Sequence, residues 1–229
     1  MKTSLTNLIS LFYPRKCPAC AKIISNYEEI LCLSCRLDLP ITDYTEIKGN
    51  KVEKSFYGRI PIEAATSLLY FNKRGIVQKL IHQLKYRKQQ QIGLFLGNCL
   101  GDKMIVSKRF DTLNCIICVP LHPKKLKKRG YNQVRTFGES LSKKLNIPLI
   151  ENQLIRTSKS NTQTFKNRFD RLKNMEEIFK ISDRGFLKNK HILLIDDVIT
   201  TGATLEACCL QLMETENIKI SIATMVITQ

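Results

Sequence analysis

The sequence predicts an α/β protein built on a mostly parallel sheet flanked by helices, with a small metal-binding module at its N-terminus. Two observations support this prediction. From about residue 67 onwards, apolar runs of strand length alternate with helical patterns, which is typical of a parallel sheet covered by helices. Near the N-terminus, four cysteines occur in two closely spaced pairs. The length of 229 residues leaves room for one domain of catalytic size and one small module, since domains average about 150 residues.

The four N-terminal cysteines are predicted to bind one zinc ion. Cys17 and Cys20 are followed, after eleven residues, by Cys32 and Cys35. Two such C-x2-C pairs are able to close tetrahedrally around one metal ion. The alternative is that the four cysteines are unrelated and merely buried.

The other five cysteines are not expected to bind metal. Cys115 and Cys118 share the C-x2-C spacing, but they lie in the apolar run CIICVPL. A strand there directs residues three apart to opposite faces. Cys99, Cys208 and Cys209 are most simply explained as small buried apolar residues.

The chain is divided by composition into three parts. Residues 1–40 are the predicted zinc-binding module, and residues 5–12 within it have the apolar spacing of a short amphipathic helix. Residues 41–60 are polar without sustained periodicity and are expected to form a linker or an elaborated loop. Residues 61–229 are the predicted α/β domain.

Strands and helices alternate within this domain. Strands are predicted at residues 67–71, 116–119 and 192–195, and in the C-terminal run IKISIATMVIT. Helices are predicted around residues 75–87, 90–108 and 134–145, and from residue 205. The first helix has apolar residues at i, i+3, i+4 and i+7, namely Val77, Leu80, Ile81 and Leu84. A polar stretch is expected between the second strand and the third helix.

The composition and charge limit the function classes. No run approaches the roughly 18 to 20 apolar residues of a membrane span, and residues 5–12 are too short for a signal peptide, so we expect a cytoplasmic protein without a membrane span. The net charge is 37 − 20 = +17, and residues 120–175 carry 14 lysines and arginines against three acids. Such a surface favours phosphate esters, nucleic acid or anionic lipid, and an ordinary solvated face is the alternative.

The strand predicted at residues 192–195 runs into a segment suited to an anion. Asp196 and Asp197 follow it directly and are expected at an exposed strand end, where ligands of open α/β sheets bind. Gly202 permits positive φ, and the loop amides and helix N-terminus direct donors at an anion. The two carboxylates suit vicinal hydroxyls and, directly or through water, magnesium. The alternative is a strand end with solvent-facing acids and a threonine-rich helix cap.

The segment LLIDDVITTGAT closely resembles the signature that binds phosphoribosyl pyrophosphate in type I phosphoribosyltransferases. The resemblance implies a type I phosphoribosyltransferase-like parallel sheet flanked by helices, with Asp196 and Asp197 contacting the ribose hydroxyls. It also implies that five residues hold the 5′-phosphate: Thr200, Thr201, Gly202, Ala203 and Thr204.

Nearly the whole chain resembles the ComF family, phosphoribosyltransferase-like proteins associated with natural DNA uptake. The resemblance lies in the four-cysteine module, LIHQLKYR, VPLHPKKLKKRGYNQ, TQT ahead of NRFDRLKN, and LLIDDVITTGAT. It implies that six further residues flank the ligand cleft or accompany its pyrophosphate-binding loop: Lys85, Tyr86, His122, Arg129, Asn132 and Gln133. The chain departs from the expected pattern at positions 124, 125, 127 and 128, where we would expect more arginine and the chain has lysine. Lysine binds phosphate as a point charge, without arginine's bidentate geometry.

These observations lead to one principal hypothesis and two alternatives. The principal hypothesis is a cytoplasmic, zinc-containing protein that binds phosphoribosyl pyrophosphate with magnesium and acts in transformation by imported DNA, with other competence proteins as partners. Whether it transfers the ribosyl group, and to which acceptor, is left open. The alternatives are a non-enzymatic single-stranded DNA-binding factor with a sensory sugar-phosphate site, and a nucleobase-salvage phosphoribosyltransferase.

Overall fold

The structure is a computed structural model that describes residues 14–24, 30–157 and 178–228. The helix expected over residues 5–12 and the TQT and NRFDRLKN segments lie outside these ranges. None of the helices in the described ranges is long and apolar enough to cross a membrane.

The centre of the fold is a five-stranded parallel sheet. The strands in chain order are β1 (Ala65–Phe71), β2 (Cys115–Cys118), β3 (Leu149–Ile150), β4 (Leu154–Arg156), β5 (Phe179–Ile181), β6 (His191–Ile199) and β7 (Lys219–Thr228). The sheet has the order β1-β7-β6-β2-β3, and every neighbouring pair in it is parallel. β4 and β5 form a separate antiparallel pair. The predicted α/β fold is confirmed.

Helices cover both faces of this sheet. The helices in chain order are α1 (Leu33–Leu37), α2 (Lys51–Lys54), α3 (Ile76–Tyr86), α4 (Gln91–Val106), α5 (Pro123–Arg129), α6 (Arg135–Leu145), α7 (Arg184–Leu187) and α8 (Ala203–Met213). Helices α3, α4 and α6 pack on one face, and α8 packs on the other. The central strands are apolar on both sides, as a doubly covered parallel sheet requires. For example, Leu193 and Ile195 join the first core while Ile192 and Leu194 join the second.

The four predicted strands and the four predicted helices are present, with boundaries shifted by a few residues. The four apolar residues that predicted α3 are all buried in it. Helix α5 occupies the stretch that was expected to be merely polar. It begins at Pro123, with His122 as N-cap, and it ends at Gly130, whose φ of 80° is left-handed. It buries no residue, so no hydrophobic periodicity marked it in the sequence.

One expectation about the central strand is wrong. Asp196 and Asp197 do not follow the strand at an exposed end, because β6 continues through them to Ile199. The extension results from β7, whose ten residues keep pairing with β6 as far as Ile199 opposite Ile227. Asp197 is consequently buried and Asp196 is half-buried.

Residues 41–60 pack against the sheet. Phe56 and Val52 are fully buried in the core that contains α8. The Asn50 side chain accepts the amides of Val52 and Glu53 at the start of α2 and donates to the Ala65 carbonyl of β1. This segment therefore has the character of an elaborated loop, and the three-part division of the chain remains a prediction.

Candidate functional site

The candidate site lies where β2 and β6 end. These strands are parallel neighbours, with Cys118 opposite Ile195, so their carboxyl ends are at the same edge of the sheet. Each strand is followed by a loop and a helix, α5 after β2 and α8 after β6. This is the edge at which ligands of open α/β folds bind.

The loop after β6 presents backbone donors around a small cavity. Gly202 is the N-cap of α8 and has φ of 77°, which explains the glycine. Within the described ranges, the backbone amides of residues 202–205 donate a hydrogen bond to no acceptor. Residues 196 and 198–205 line a cavity of about 60 Å³. The arrangement is suited to an anion, because unpaired amides and the helix dipole both favour negative charge.

The two aspartates before this loop have different surroundings. The Asp197 carboxylate pairs with Lys85, with 2.9 Å between Nζ and Oδ2, and accepts a hydrogen bond from the Gln133 side-chain amide. Among the described residues, Asp196 accepts a hydrogen bond only from the Asp197 amide, at 2.8 Å. Burial, and secondarily the Asp197 charge, raises the pKa of Asp196 to about 7, while Lys85 and Arg156 act in the opposite direction. A hard cation fits this pair, because it would offset both the cost of desolvating the carboxylates and their mutual repulsion.

Several of the predicted residues form one hydrogen-bonded chain. The Arg129 guanidinium donates to Oε1 of Gln133, whose amide reaches Asp197. Arg129 also lies over the Tyr86 ring, 5.2 Å from its centre. The structure therefore brings Lys85, Gln133 and Asp197 into contact and connects Arg129 to them.

His122 and Asn132 make local contacts in the loop after β2. Nδ1 of His122 accepts the Lys124 amide at 3.2 Å. The Asn132 side chain donates to the Val119 carbonyl and accepts the Val134 amide, both at 3.1 Å. These contacts shape the loop between β2 and α6, and none of them connects either side chain to the aspartates.

A basic cavity of about 280 Å³ lies between α3 and α5. Seven residues line it: Lys85, Tyr86, Lys88, Lys125, Lys128, Arg129 and Tyr131. In the part of the chain that is described, no carboxylate pairs with Lys88, Lys125 or Lys128. Tyr86 is 60% exposed. We refer to this feature as the basic cavity.

Two residues next to the loop after β6 were missed by the sequence analysis. Phe56 lies under Gly202, where a Cβ atom would come within 3.0 Å of its ring. Arg59 donates to the Thr201 carbonyl and pairs with Glu206 of α8. Both belong to residues 41–60, which have no periodic pattern, and their partners are more than 140 positions away along the chain. No local sequence signal marks these contacts.

The four N-terminal cysteines form a cluster, as predicted. The four Sγ atoms all lie within 4.8 Å of one another, and those of Cys20 and Cys32 are 3.5 Å apart. Zinc–sulfur bonds of about 2.3 Å in a tetrahedron place sulfurs about 3.8 Å apart, so the cluster fits a structural zinc ion. Cys17 and Cys35 belong to the core that also contains α3 and α4.

The remaining cysteines also conform largely to expectation. The side chains of Cys115 and Cys118 lie on opposite faces of the sheet, since they pack into different cores. Cys208 and Cys209 are fully buried, and Cys99 is only partly buried.

Comparison with known proteins identifies the class of this domain. Residues 135–228 match the phosphoribosyl transferase domain family. Competence protein F of Haemophilus influenzae is 33% identical over 130 residues, which are 55% of this chain and 57% of that protein. DNA utilization protein YhgH of Escherichia coli O157:H7 is 30% identical over 128 residues, 55% of this chain and 56% of that protein. Competence protein ComFC of Streptococcus pneumoniae is 38% identical over 89 residues, 39% and 37% of the respective chains.

The chain thus contains a phosphoribosyltransferase-type domain with a four-cysteine cluster near its N-terminus. Its matches span little more than half the length of the first two relatives. These matches support the resemblance to the ComF family that the sequence motifs indicate.

Proposed function

We propose that this protein binds phosphoribosyl pyrophosphate together with magnesium at the end of β6. The observation that carries the proposal is that the amides of residues 202–205 have no acceptor among the described residues and lie a few residues after two adjacent carboxylates on a central strand. The amides and hydroxyls of residues 200–204 hold the 5′-phosphate. Asp196 and Asp197 bind the ribose hydroxyls, and magnesium there offsets the charge of the pyrophosphate.

Lys85 has a second part in this proposal. Its ammonium is 2.9 Å from Asp197 and also lines the basic cavity. It therefore orients the Asp197 carboxylate and supplies a positive charge toward a pyrophosphate group. Gln133 donates to the same carboxylate oxygen and helps to fix it.

We propose a cytoplasmic role in DNA uptake, in contact with other competence proteins. Two relatives are named competence proteins and a third is named a DNA utilization protein. A protein that handles imported DNA would also be consistent with a net charge of +17.

Calorimetric titration of the purified chain with phosphoribosyl pyrophosphate tests the ligand proposal. We expect saturable binding that strengthens when magnesium is added, and weaker binding of ribose 5-phosphate, which lacks the pyrophosphate. Glucose 6-phosphate is the control for a phosphate ester without the ribose. Equal affinity for all three compounds, or no binding, would contradict the proposal.

Catalysis requires a separate measurement. A cavity of about 520 Å³, lined by Asn132 and Arg156 among others, adjoins the loop after β2 and gives room for an acceptor. We propose to screen nucleobases and other amines for magnesium-dependent pyrophosphate release. Release with nucleobases would favour the salvage reaction, and binding without release for any acceptor would favour a sensor.

The second candidate function is binding of single-stranded DNA at the basic cavity. Five cations surround it, and the exposed Tyr86 ring offers a stacking surface. Fluorescence anisotropy of a labelled oligonucleotide, measured across a salt series, tests this candidate. Binding to the backbone must weaken steeply as salt rises, and an affinity independent of salt would exclude it.

We also propose that the cysteine cluster holds zinc. Cys17→Ser should lower the zinc content measured by mass spectrometry, since each zinc site of this type needs four ligands. Cys99→Ser is the matched control, because Cys99 lies outside the cluster. Full zinc occupancy in the Cys17 variant would remove this cysteine from the ligand set.

A further inference from the structure

Arg59 connects the loop after β6 to residues outside it. Its Nη1 atom donates to the Thr201 carbonyl at 3.0 Å and to the Ser55 carbonyl at 2.8 Å. Its Nη2 atom pairs with the carboxylate of Glu206 in the first turn of α8. One guanidinium therefore contacts both the loop and the helix that follows it.

The contact with the Thr201 carbonyl determines where the next amide points. A trans peptide is planar, so its C=O and N–H point in opposite directions. Arg59 holds the Thr201 carbonyl on its own side, and the Gly202 amide of the same peptide is directed away from it. This amide is one of those without an acceptor in the described residues. If the peptide rotated, an acceptor would replace a donor at the candidate phosphate site.

The contact with Glu206 is electrostatic. Glu206 is 8% exposed and lies within the first turn of α8. An unpaired carboxylate there would repel an anion bound at the same helix terminus, because the attraction of the terminus amounts to only about half a charge. Pairing with Arg59 removes most of this repulsion.

We propose that Arg59 is a positioning residue for the sugar-phosphate site: it keeps the Gly202 amide directed at the ligand and neutralises Glu206. The inference rests on the proposed function, since it concerns the same loop. Arg59 acts through the loop and does not itself touch the 5′-phosphate. Its sequence position, far from the ligand signature, explains why the signature alone did not identify it.

The test compares two arginines by titration with ribose 5-phosphate in the absence of magnesium. Arg59→Met should raise the Kd at least about tenfold, since the charge-assisted hydrogen bond to the Thr201 carbonyl and the charge pair with Glu206 are both lost. Arg109→Met is the matched control. Arg109 pairs with Glu53, donates to the carbonyls of residues 44, 45 and 47, and has a similar side-chain exposure of 19% against 23%. The Arg109→Met substitution should lower thermal stability about as much as Arg59→Met, and it should leave the Kd for ribose 5-phosphate within about twofold of the wild type.

A second pair of variants separates the two contacts of Arg59. Glu206→Gln alone removes the repulsion and should bind ribose 5-phosphate at least as well as the wild type. Adding Arg59→Met to Glu206→Gln should still weaken binding several-fold, because the Thr201 carbonyl has lost its donor. Equal affinities of these two variants would overturn the positioning of the peptide.

The outcomes distinguish this inference from the function on which it rests. A wild-type protein that binds neither ribose 5-phosphate nor phosphoribosyl pyrophosphate contradicts the proposed function. Wild-type binding that is unchanged in Arg59→Met overturns only the inference. Equal loss of binding in Arg59→Met and Arg109→Met would also overturn it, because the effect would then follow from general destabilisation.

Discussion

Two strand–loop–helix units lie side by side at the candidate site and differ in the way they can contact an anion. The β2 unit consists of β2, the loop to residue 122 and α5, and the β6 unit consists of β6, the loop of residues 200–202 and α8. In the β6 unit the N-cap is Gly202, which has no side chain to cap the helix amides. In the β2 unit, His122 caps the Lys124 amide and Pro123 has no amide hydrogen.

This difference shows that neighbouring strands with the same topology provide two kinds of anion contact. The β6 unit offers backbone donors in fixed positions, which act at short range on one group. The β2 unit has its helix terminus satisfied internally and offers lysine and arginine side chains instead. Such exposed cations attract any polyanion and are screened by salt. We therefore expect changes in the β6 unit to affect the sugar phosphate and changes in the β2 unit to affect DNA.

The largest effect is expected from removing both carboxylate charges of the β6 unit. Asp196→Asn combined with Asp197→Asn should weaken magnesium-dependent binding of phosphoribosyl pyrophosphate at least about a hundredfold, because two hydrogen bonds to charged groups are lost. Calorimetry with and without magnesium measures this effect. Asp102→Asn, which removes a carboxylate paired with Lys144, is the control and should bind normally. Unchanged affinity in the double variant would contradict the assignment of the site.

The single aspartate variants should differ in stability. Asp197→Asn leaves the partly buried Lys85 ammonium without its partner, and losing one member of such a pair is destabilising. Asp196→Asn removes a carboxylate that is costly to ionise, since its pKa is raised to about 7. At pH 8 we expect the melting temperature to fall for Asp197→Asn and not for Asp196→Asn. The reverse order would contradict the environments described for the two side chains.

The next largest effect concerns the lysines of the β2 unit. Changing Lys124, Lys125, Lys127 and Lys128 to Gln should weaken binding of single-stranded DNA about tenfold or more at low salt. It should also make the slope of log affinity against log salt shallower by up to about 2.8, because each lost phosphate contact contributes about 0.7. Helix α5 buries no residue, so the fold should be retained.

The same four-lysine variant should also be tested for binding of phosphoribosyl pyrophosphate. Binding of phosphoribosyl pyrophosphate should change much less than binding of DNA, since the loop donors lie in the other unit. A control with the same change in charge replaces four exposed lysines outside the basic cavity: Lys48, Lys51, Lys54 and Lys73. Equal salt slopes in the wild type and the α5 variant would make this surface an ordinary solvated face. Equal loss of DNA binding and of phosphoribosyl pyrophosphate binding would place the lysines in the sugar-phosphate cleft.

A smaller effect is expected from one glycine in each unit. Gly202 and Gly130 both have left-handed φ, 77° and 80°. Alanine at position 202 would also come within 3.0 Å of the Phe56 ring, whereas nothing lies within 4 Å at position 130. Both variants should lose about 1 kcal/mol of stability from the backbone conformation. Only Gly202→Ala should weaken ribose 5-phosphate binding, by several-fold, and equal effects on binding would contradict the comparison.

The sequence predicted those parts of the fold in which burial imposes a local pattern. Helix α3 was predicted from four apolar residues that are all buried, and the central strand from a run that is apolar on both faces. Helix α5 buries nothing and so was missed. The exposed strand end was predicted wrongly for Asp196 and Asp197, because the length of β6 depends on pairing with β7, which no local pattern encodes.

The candidate site was predictable to the extent that it is a contiguous motif. Residues 196 and 198–205 line one cavity, whereas the Asp197 carboxylate contacts Lys85 and Gln133. Arg59 and Phe56 were not predicted because they reach this loop from about 140 positions away. Such contacts depend on the packing of residues 41–60 against the sheet. Sequence reasoning without aligned relatives has no access to them.

The smallest effect is expected at the other end of the β6 unit, where His191 begins the strand. The ring is buried and hydrogen-bonded on both sides, with Nδ1 at 2.8 Å from the Thr112 hydroxyl and Nε2 at 2.9 Å from the Ser221 hydroxyl. Burial lowers the pKa of His191 below its ordinary value of 6.5. The nearby charges of Glu63 and Lys219 act in opposite directions on this pKa.

The sign of the pH effect follows from this depressed pKa. Just below pH 6.5 the unfolded chain binds a proton at His191 and the folded chain does not, so stability falls as the pH falls. The slope contributed by this one group is at most about 1.4 kcal/mol per pH unit. Denaturant unfolding between pH 5 and pH 8 should therefore show a steeper loss of stability in the wild type than in His191→Gln. The two curves should run parallel above about pH 7.5, where the histidine is neutral in both states. Parallel curves over the whole range would mean that solvent reaches this ring and that the start of β6 is less tightly packed than its loop-bearing end.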